Sequence, residues 1–247
     1  MKRKKDTTVY YLYGKHPVDF AIKNPTREIF ELLVTKNNLK SIDKYKPIIE
    51  NKKINVKVLA TNDISKCIGT EASVHQGIAI KVKKLIPTFI EQILKKVKEK
   101  SILLFLDQVT DPQNIGAIIR SSLAFGADAV ITTKDNAPSE NANLVKATAG
   151  AFELIPYIQV INLARTLNDI KKHGYWIVAV TQNADTSINA LNNFDRIALL
   201  LGAEGKGIRD INLKQSDIKV RINISNKLQS LNVSNAAAIS LYKISEK

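Results

Sequence analysis

Three short segments concentrate side chains able to do chemistry. Residues 106–120 read LDQVTDPQNIGAIIR, 201–207 read LGAEGKG and 230–235 read SLNVSN. Each sets amides, small residues or one isolated charge beside an apolar run, where a segment that only had to fold would carry more carbon. In the first, Asn114 reads as the N-cap of a helix entered through the Asp111-Pro112 turn, and Arg120 follows among Ile115, Gly116, Ala117, Ile118 and Ile119. A guanidinium beside so apolar a stretch needs a carboxylate, a phosphate or solvent. The plain alternative is that it snorkels to water.

In the second segment, Glu204 lies between Ala203 and Gly205. A Walker phosphate loop requires Ser or Thr after the Lys and a Gly five residues before it; here Gly207 follows Lys206 and Leu201 stands at the earlier position. The dinucleotide fingerprint G-x-G-x-x-G is also absent at the first strand of this half, which removes ordinary nucleotide-binding chemistry. A lone Glu in such a loop is by default a solvated turn residue. In the third segment, Ser230, Asn232 and Ser234 precede an Ala-rich helix at Asn235–Ala238. Capping needs only one polar group, so three favour a ligand.

The surrounding pattern supplies the frame. Strands at 102–106, 129–133, 176–180 and 197–201 are continuous apolar runs, separated by helical patterns such as 114–125 and 163–172. That arrangement predicts a parallel sheet covered on both faces, whose ligands bind at the carboxyl ends of the strands. All three segments begin at such ends, the third after a strand at 218–224. Before them, strands at 29–35, 55–60 and 77–82 alternate with helices at 17–22, 42–50 and 63–68, a small α/β domain. The expected organisation is a basic disordered tail at 1–8, a domain at 9–83, a linker that becomes a helix at 84–100, and a second domain at 101–247.

Charge separates the halves. Residues 1–100 carry 22 Lys plus Arg against 10 Asp plus Glu, a surplus of +12, whereas 101–247 carry 15 against 13, or +2. The basic half is expected to bind a polyanion, with nucleic acid favoured over a mere lysine-rich habit. No run approaches a membrane span and no apolar stretch follows MKRKKDTT, so a cytoplasmic protein is expected. Cys67 is the one cysteine, and His16, His75 and His173 lack metal-ligand spacing, so no metal site is expected.

Taken together, the three segments resemble motifs one to three of the SpoU-type (TrmH-like) RNA ribose 2′-O-methyltransferases. Residues 147–156 (ATAGAFELIP) and 73–82 (SVHQGIAIKV) extend the resemblance over nearly the whole chain. It implies an α/β fold in which the C-terminal parallel-sheet domain is a trefoil knot of the SPOUT class and the small N-terminal α/β domain binds RNA. It implies S-adenosylmethionine as methyl donor, a guanosine of 23S rRNA as substrate, and a homodimer formed through the knot domain. A tRNA substrate and a vestigial RNA-binding assembly factor are the alternatives. Matching residue by residue, Asn114, Arg120, Glu204, Ser230 and Asn232 take the catalytic positions, and Gly202, Ile222 and Leu231 the donor-binding ones.

The family assigns proton removal to the arginine. A guanidinium is a permanent cation, so Arg120 is expected mainly to bind the phosphate beside the target ribose and to acidify the hydroxyl. The proton then passes to that phosphate or to Arg120 itself, while Asn114 orients Arg120 or the nucleotide. Ser122, Asn223 and Asn226 depart from the family's usual Ala, Pro and Gly. Asn223 is expected to loosen the end of its strand, and Asn226 to keep the loop path through its tolerance of left-handed backbone.

Overall fold

The computed structural model describes residues 8–69, 75–96 and 98–246. Nearly all of the expected basic tail, and Ser73 and Val74 of the 73–82 stretch, lie outside the described residues. In chain order the elements are β1 (Val9–Tyr13), α1 (Lys15–Lys23), β2 (Ile29–Val34), α2 (Lys46–Asn51), β3 (Asn55–Val58), α3 (Thr61–Ile68), β4 (Ile78–Lys83), α4 (Ile90–Leu94), β5 (Ser101–Asp107) and α5 (Pro112–Ala124). There follow β6 (Ala129–Thr133), α6 (Ala142–Ala147), β7 (Tyr157–Val160), α7 (Leu163–Lys171), β8 (Trp176–Val180), β9 (Thr186–Ser187), β10 (Arg196–Gly202), α8 (Asp210–Leu213), β11 (Ile218–Arg221) and α9 (Val233–Ser245).

The chain forms two units, one of Met1–Ile86 with Glu140–Leu154, the other of Pro87–Ser139 with Ile155–Lys247. The expected 101–247 domain contained residues 140–154. By their contacts they belong to the first unit, because side chains of that segment complete its interior.

The first unit is a four-stranded mixed sheet in the order β1-β4-β2-β3, in which only β2 and β3 run parallel. Ile64 of α3 packs against Tyr13, Leu33 and Ala79 on one face. The 140–154 segment is held by Arg27, which is 1% exposed. Its Nη2 lies 2.5 Å from Glu153 Oε1 and its Nη1 2.5 Å from Glu140 Oε1, and Nη1 also donates to the Lys83 carbonyl at 2.8 Å. Burial alone lowers the pKa of a guanidinium, but the carboxylates of Glu153 and Glu140 outweigh it and push the group up. Tyr10 donates its hydroxyl to Glu140 at 2.6 Å, and burial followed by the Glu140 charge raises the phenol's pKa. Gly150, at φ 98°, admits the Phe20 ring 2.2 Å from where a Cβ would stand, so a side chain there cannot coexist with the docked segment.

The second unit is a seven-stranded sheet in the order β7-β6-β5-β10-β8-β11-β9, every pair parallel. Its central strands are buried on both faces, which is why they read as continuous apolar runs. Leu103, Phe105, Ala129, Ile131, Ile177, Ala179, Ala198 and Leu200 form one core with Leu163, Leu167 and Ile170 of α7. Each large side chain so buried contributes on the order of 1.5–3 kcal/mol. Helices α5 and α9 pack on each other. Because all strands run the same way, Asp107, Gly202 and Arg221 end β5, β10 and β11 at one edge. No helix of the described residues is long and apolar enough to cross a membrane.

Candidate active site

At that edge the chain leaves β5 abruptly. Asp107 is fully buried, and the next residue, Gln108, takes φ 59°, an uncommon region for a residue with a Cβ. Helix α5 then starts at Pro112 with Asp111 as its N-cap, the Asp111 carboxylate accepting from Gln113 N at 3.0 Å. The expectation that Asn114 caps this helix is corrected: Pro112 occupies the first helical position, which puts the cap at Asp111, before Asn114 in the chain. Asn114 therefore lies within the first turn, its amide free for another partner.

That partner is Asn232. Its Oδ1 accepts from the backbone N of Ser234 at 2.8 Å and so caps α9. A backbone N–H can only donate, which fixes the orientation of the amide. The Nδ2 group must then face the other way, and it donates to Asn114 Oδ1 at 3.0 Å and to Glu204 Oε2 at 3.2 Å. One side chain thus meets both accounts of the third segment, capping through its oxygen and joining the other two segments through its nitrogen. The Asn114 amide nitrogen makes no hydrogen bond among the described residues.

Glu204 sits in a loop closed by Gly207 N donating to Ala203 O at 2.8 Å. The loop folds back so tightly that a Cβ on Gly202 would stand 2.1 Å from the Gly207 carbonyl carbon, so only glycine fits there. Its far end is fixed by Asp107, whose Oδ2 accepts from Arg209 N at 2.8 Å and whose Oδ1 accepts from Arg209 Nε at 2.9 Å. Sequence reasoning did not single out this pair. Its signal was a carboxylate ending an otherwise apolar strand.

Gly202, Glu204, Ile222, Ser230 and Leu231 line one cavity of about 530 Å³, together with Thr181, Gln182 and Asn183 after β8. The last three were also not foreseen, since nothing in their local spacing marks them. Arg120 stands apart from the Asn114–Asn232–Glu204 chain. It is exposed and makes no hydrogen bond or ion pair among the described residues; the expected link from Asn114 to Arg120 is replaced by the one to Asn232. Asn223 accepts from Arg221 Nε at 3.3 Å while Arg221 Nη1 donates to Ala184 O at 3.1 Å, so the strand end is tied by side chains. Asn226 is not among the residues with positive φ. His75 is buried, with Nε2 3.1 Å from Ser65 Oγ and Nδ1 accepting from Gly77 N at 3.0 Å, a structural role. No group of three or more His, Cys, Asp or Glu side chains able to hold a metal occurs among the described residues.

Residues 101–242 match the SpoU rRNA Methylase family, and residues 11–88 match the RNA 2′-O ribose methyltransferase substrate-binding domain. The chain is 34% identical over 239 residues to a Coxiella burnetii protein named 23S rRNA (guanosine-2′-O-)-methyltransferase RlmB, with 94% of each chain covered. A protein of the same name from Haemophilus ducreyi is also 34% identical, over 94% of this chain and 96% of that one. The solved SpoU methyltransferase AviRb from Streptomyces viridochromogenes, in complex with AdoMet, superposes with a TM-score of 0.81 at 20% identity, covering 97% of this chain and 90% of that chain. An AdoMet-bound rRNA methyltransferase from Sinorhizobium meliloti gives 0.78 at 20% identity, covering 97% and 88%. These likenesses show the fold, the α/β class of the SPOUT methyltransferases.

Proposed function

The chain belongs to the SpoU rRNA Methylase family, and from that premise we propose that it transfers a methyl group from S-adenosylmethionine to the ribose 2′-hydroxyl of a guanosine in 23S rRNA. The observation that carries this reading is the Asn232 amide joining Asn114 to Glu204 beside the cavity lined by Gly202, Ile222 and Leu231. The cavity fits the methyl donor in kind: about 530 Å³ falls within the roughly 300–1,000 Å³ of small-molecule sites. Its wall mixes apolar Ile222, Leu231 and Val233 with the amides of Gln182 and Asn183. We assign donor binding to the backbones of Gly202, Ile222 and Leu231. When bound, the sulfonium supplies an electrophilic methyl group.

The chain's own work is to orient the ribose oxygen and accommodate its proton. Arg120, exposed and without a partner among the described residues, is suited to hold the phosphate next to the target ribose and to stabilise the developing alkoxide. It remains a cation throughout and has no lone pair to accept a proton, so the hydroxyl proton passes to an oxygen of that phosphate. Asn114 has an unspent amide N–H₂ to offer the nucleotide, and Ser230, exposed at the cavity rim, a hydroxyl. Glu204 and Asn232 hold the second and third segments in register. The basic first unit grips structured rRNA through its phosphates.

We further propose a cytoplasmic homodimer built on the α5–α9 face. There Tyr242 is 52% exposed and meets Phe125 edge-on at 5.8 Å, and Ile239 is 40% exposed.

Ribose-methylation mapping of rRNA and tRNA from cells lacking this protein tests the assignment. Loss of one 23S guanosine mark is expected. Loss of a tRNA mark alone would overturn the substrate, and calorimetry showing no binding of S-adenosylmethionine would favour a vestigial RNA-binding factor instead.

A further inference from the structure

The first unit carries an open sheet face that the methyl-transfer chemistry does not use. Tyr11 of β1, Lys81 of β4 and Glu31 of β2 are register partners and form a row across three strands. Helix α3 covers the neighbouring row of Tyr13, Ala79 and Leu33 through Ile64. Past the end of α3 lies a groove of about 770 Å³ lined by Tyr11, Phe30, Cys67, Ile68 and Lys81.

Phe30 is there because of a β-bulge. The β2–β4 register shifts between Ile29 and Glu31, leaving Phe30 unpaired. Bulges re-aim side chains, and this one sends a phenyl ring that is 41% exposed toward the open row rather than into the interior beside Leu32. The charges are sorted as well. Glu31 is occupied by the Tyr11 hydroxyl and by Lys57 Nζ at 2.7 Å. Lys81 makes no salt bridge among the described residues, and its ammonium lies 5.8 Å from the Tyr11 ring centroid. An aromatic pair beside a cation that neighbours Glu31 without bonding to it, on a strongly basic domain, is complementary to a π-face attached to a phosphate.

We infer that this groove stacks an unpaired nucleobase of the RNA substrate between Phe30 and Tyr11, with Lys81 on the adjoining phosphate. The inference rests on the RNA-methyltransferase reading and deepens it: the first unit selects RNA in which a single-stranded nucleotide adjoins the structured part. Stacking on aromatic rings is indifferent to base identity, so the groove reads strandedness rather than sequence.

The test uses the full chain and two probes, a short uridine-rich oligoribonucleotide with one central 2-aminopurine and a matched fully paired RNA duplex. Wild type is expected to quench the 2-aminopurine. Phe30→Ala is expected to lose the quenching and to weaken single-strand binding about tenfold, with duplex binding unchanged. Phe30→Trp should restore both. Lys81→Ala should weaken binding and lower the salt slope by about one. Phe30 is exposed, so these variants retain the fold. Single-strand affinity and quenching unchanged in Phe30→Ala would overturn the groove while leaving the enzyme reading intact. Failure of the wild type to bind either RNA would sink both.

Discussion

Arg27 and Arg120 carry the same guanidinium, and their surroundings could hardly differ more. Arg27 is 1% exposed and its donors are spent on Glu153, Glu140 and the Lys83 carbonyl. Arg120 is exposed and spends none of its own among the described residues. The same contrast runs through their neighbours. Around Arg27 the polar groups satisfy one another in the interior, whereas at the second site Asn232 bridges Asn114 and Glu204 and, among the described residues, still leaves the Asn114 amide protons and one Glu204 oxygen unclaimed. A satisfied, buried network specifies structure. A partly satisfied network at a cavity rim has capacity left for a ligand.

The contrast can be broken by substitution. Removing Arg27 leaves two carboxylates buried without a counter-charge, so Arg27→Met should lower stability by about 3–5 kcal/mol. Chemical denaturation reads this, and the folded fraction should still bind S-adenosylmethionine. Gly202→Ala forces a Cβ to within 2.1 Å of backbone; it should cost about 1–3 kcal/mol and abolish donor binding in calorimetry. Asn232→Ala removes the cap of α9, a loss of about 1 kcal/mol. Asn232→Asp keeps a capping oxygen while deleting both side-chain N–H donors beside Glu204. Retained melting temperature with at least tenfold slower methyl transfer would separate the two functions of that amide, and unchanged transfer would show that the bridge serves only folding.

The smallest effect concerns acid. Burial raises the Asp19 carboxyl, but hydrogen bonds from Lys23, Tyr45 and Lys44 prevail and hold it at about 2, below its ordinary 3.8. A lowered folded-state pKa means stability present above the unfolded value and lost as pH falls from about 4 toward 2. The lysine partners are mostly solvent-exposed, at 56% and 62%, so the contribution is under about 1 kcal/mol. Acid titration of Asp19→Asn should show a correspondingly shallower loss over that window.

Much of this was legible in the residues. The parallel strands announced themselves because burial on both faces leaves no polar alternation, and β6 and β8 match their expected bounds. The three segments were readable because amides and glycine displaced carbon at strand ends. The placement of 140–154 was not, since pairing Arg27 with Glu140 and Glu153 spans more than a hundred residues and leaves no local pattern. The cap of α5 was misread although Pro112 marked it, and Asp107 looked like a strand end until Arg209 was seen to close on it.

In the proposed reaction Arg120 acts on the ribose side while the cavity at Gly202, Ile222 and Leu231 holds the donor. Single-turnover methyl transfer by Arg120→Ala, alongside calorimetry with S-adenosylmethionine, tests it most directly. The expected result is transfer slowed at least about 100-fold with donor affinity and melting temperature unchanged. Near-native transfer, or donor affinity lost in parallel with rate, would contradict it.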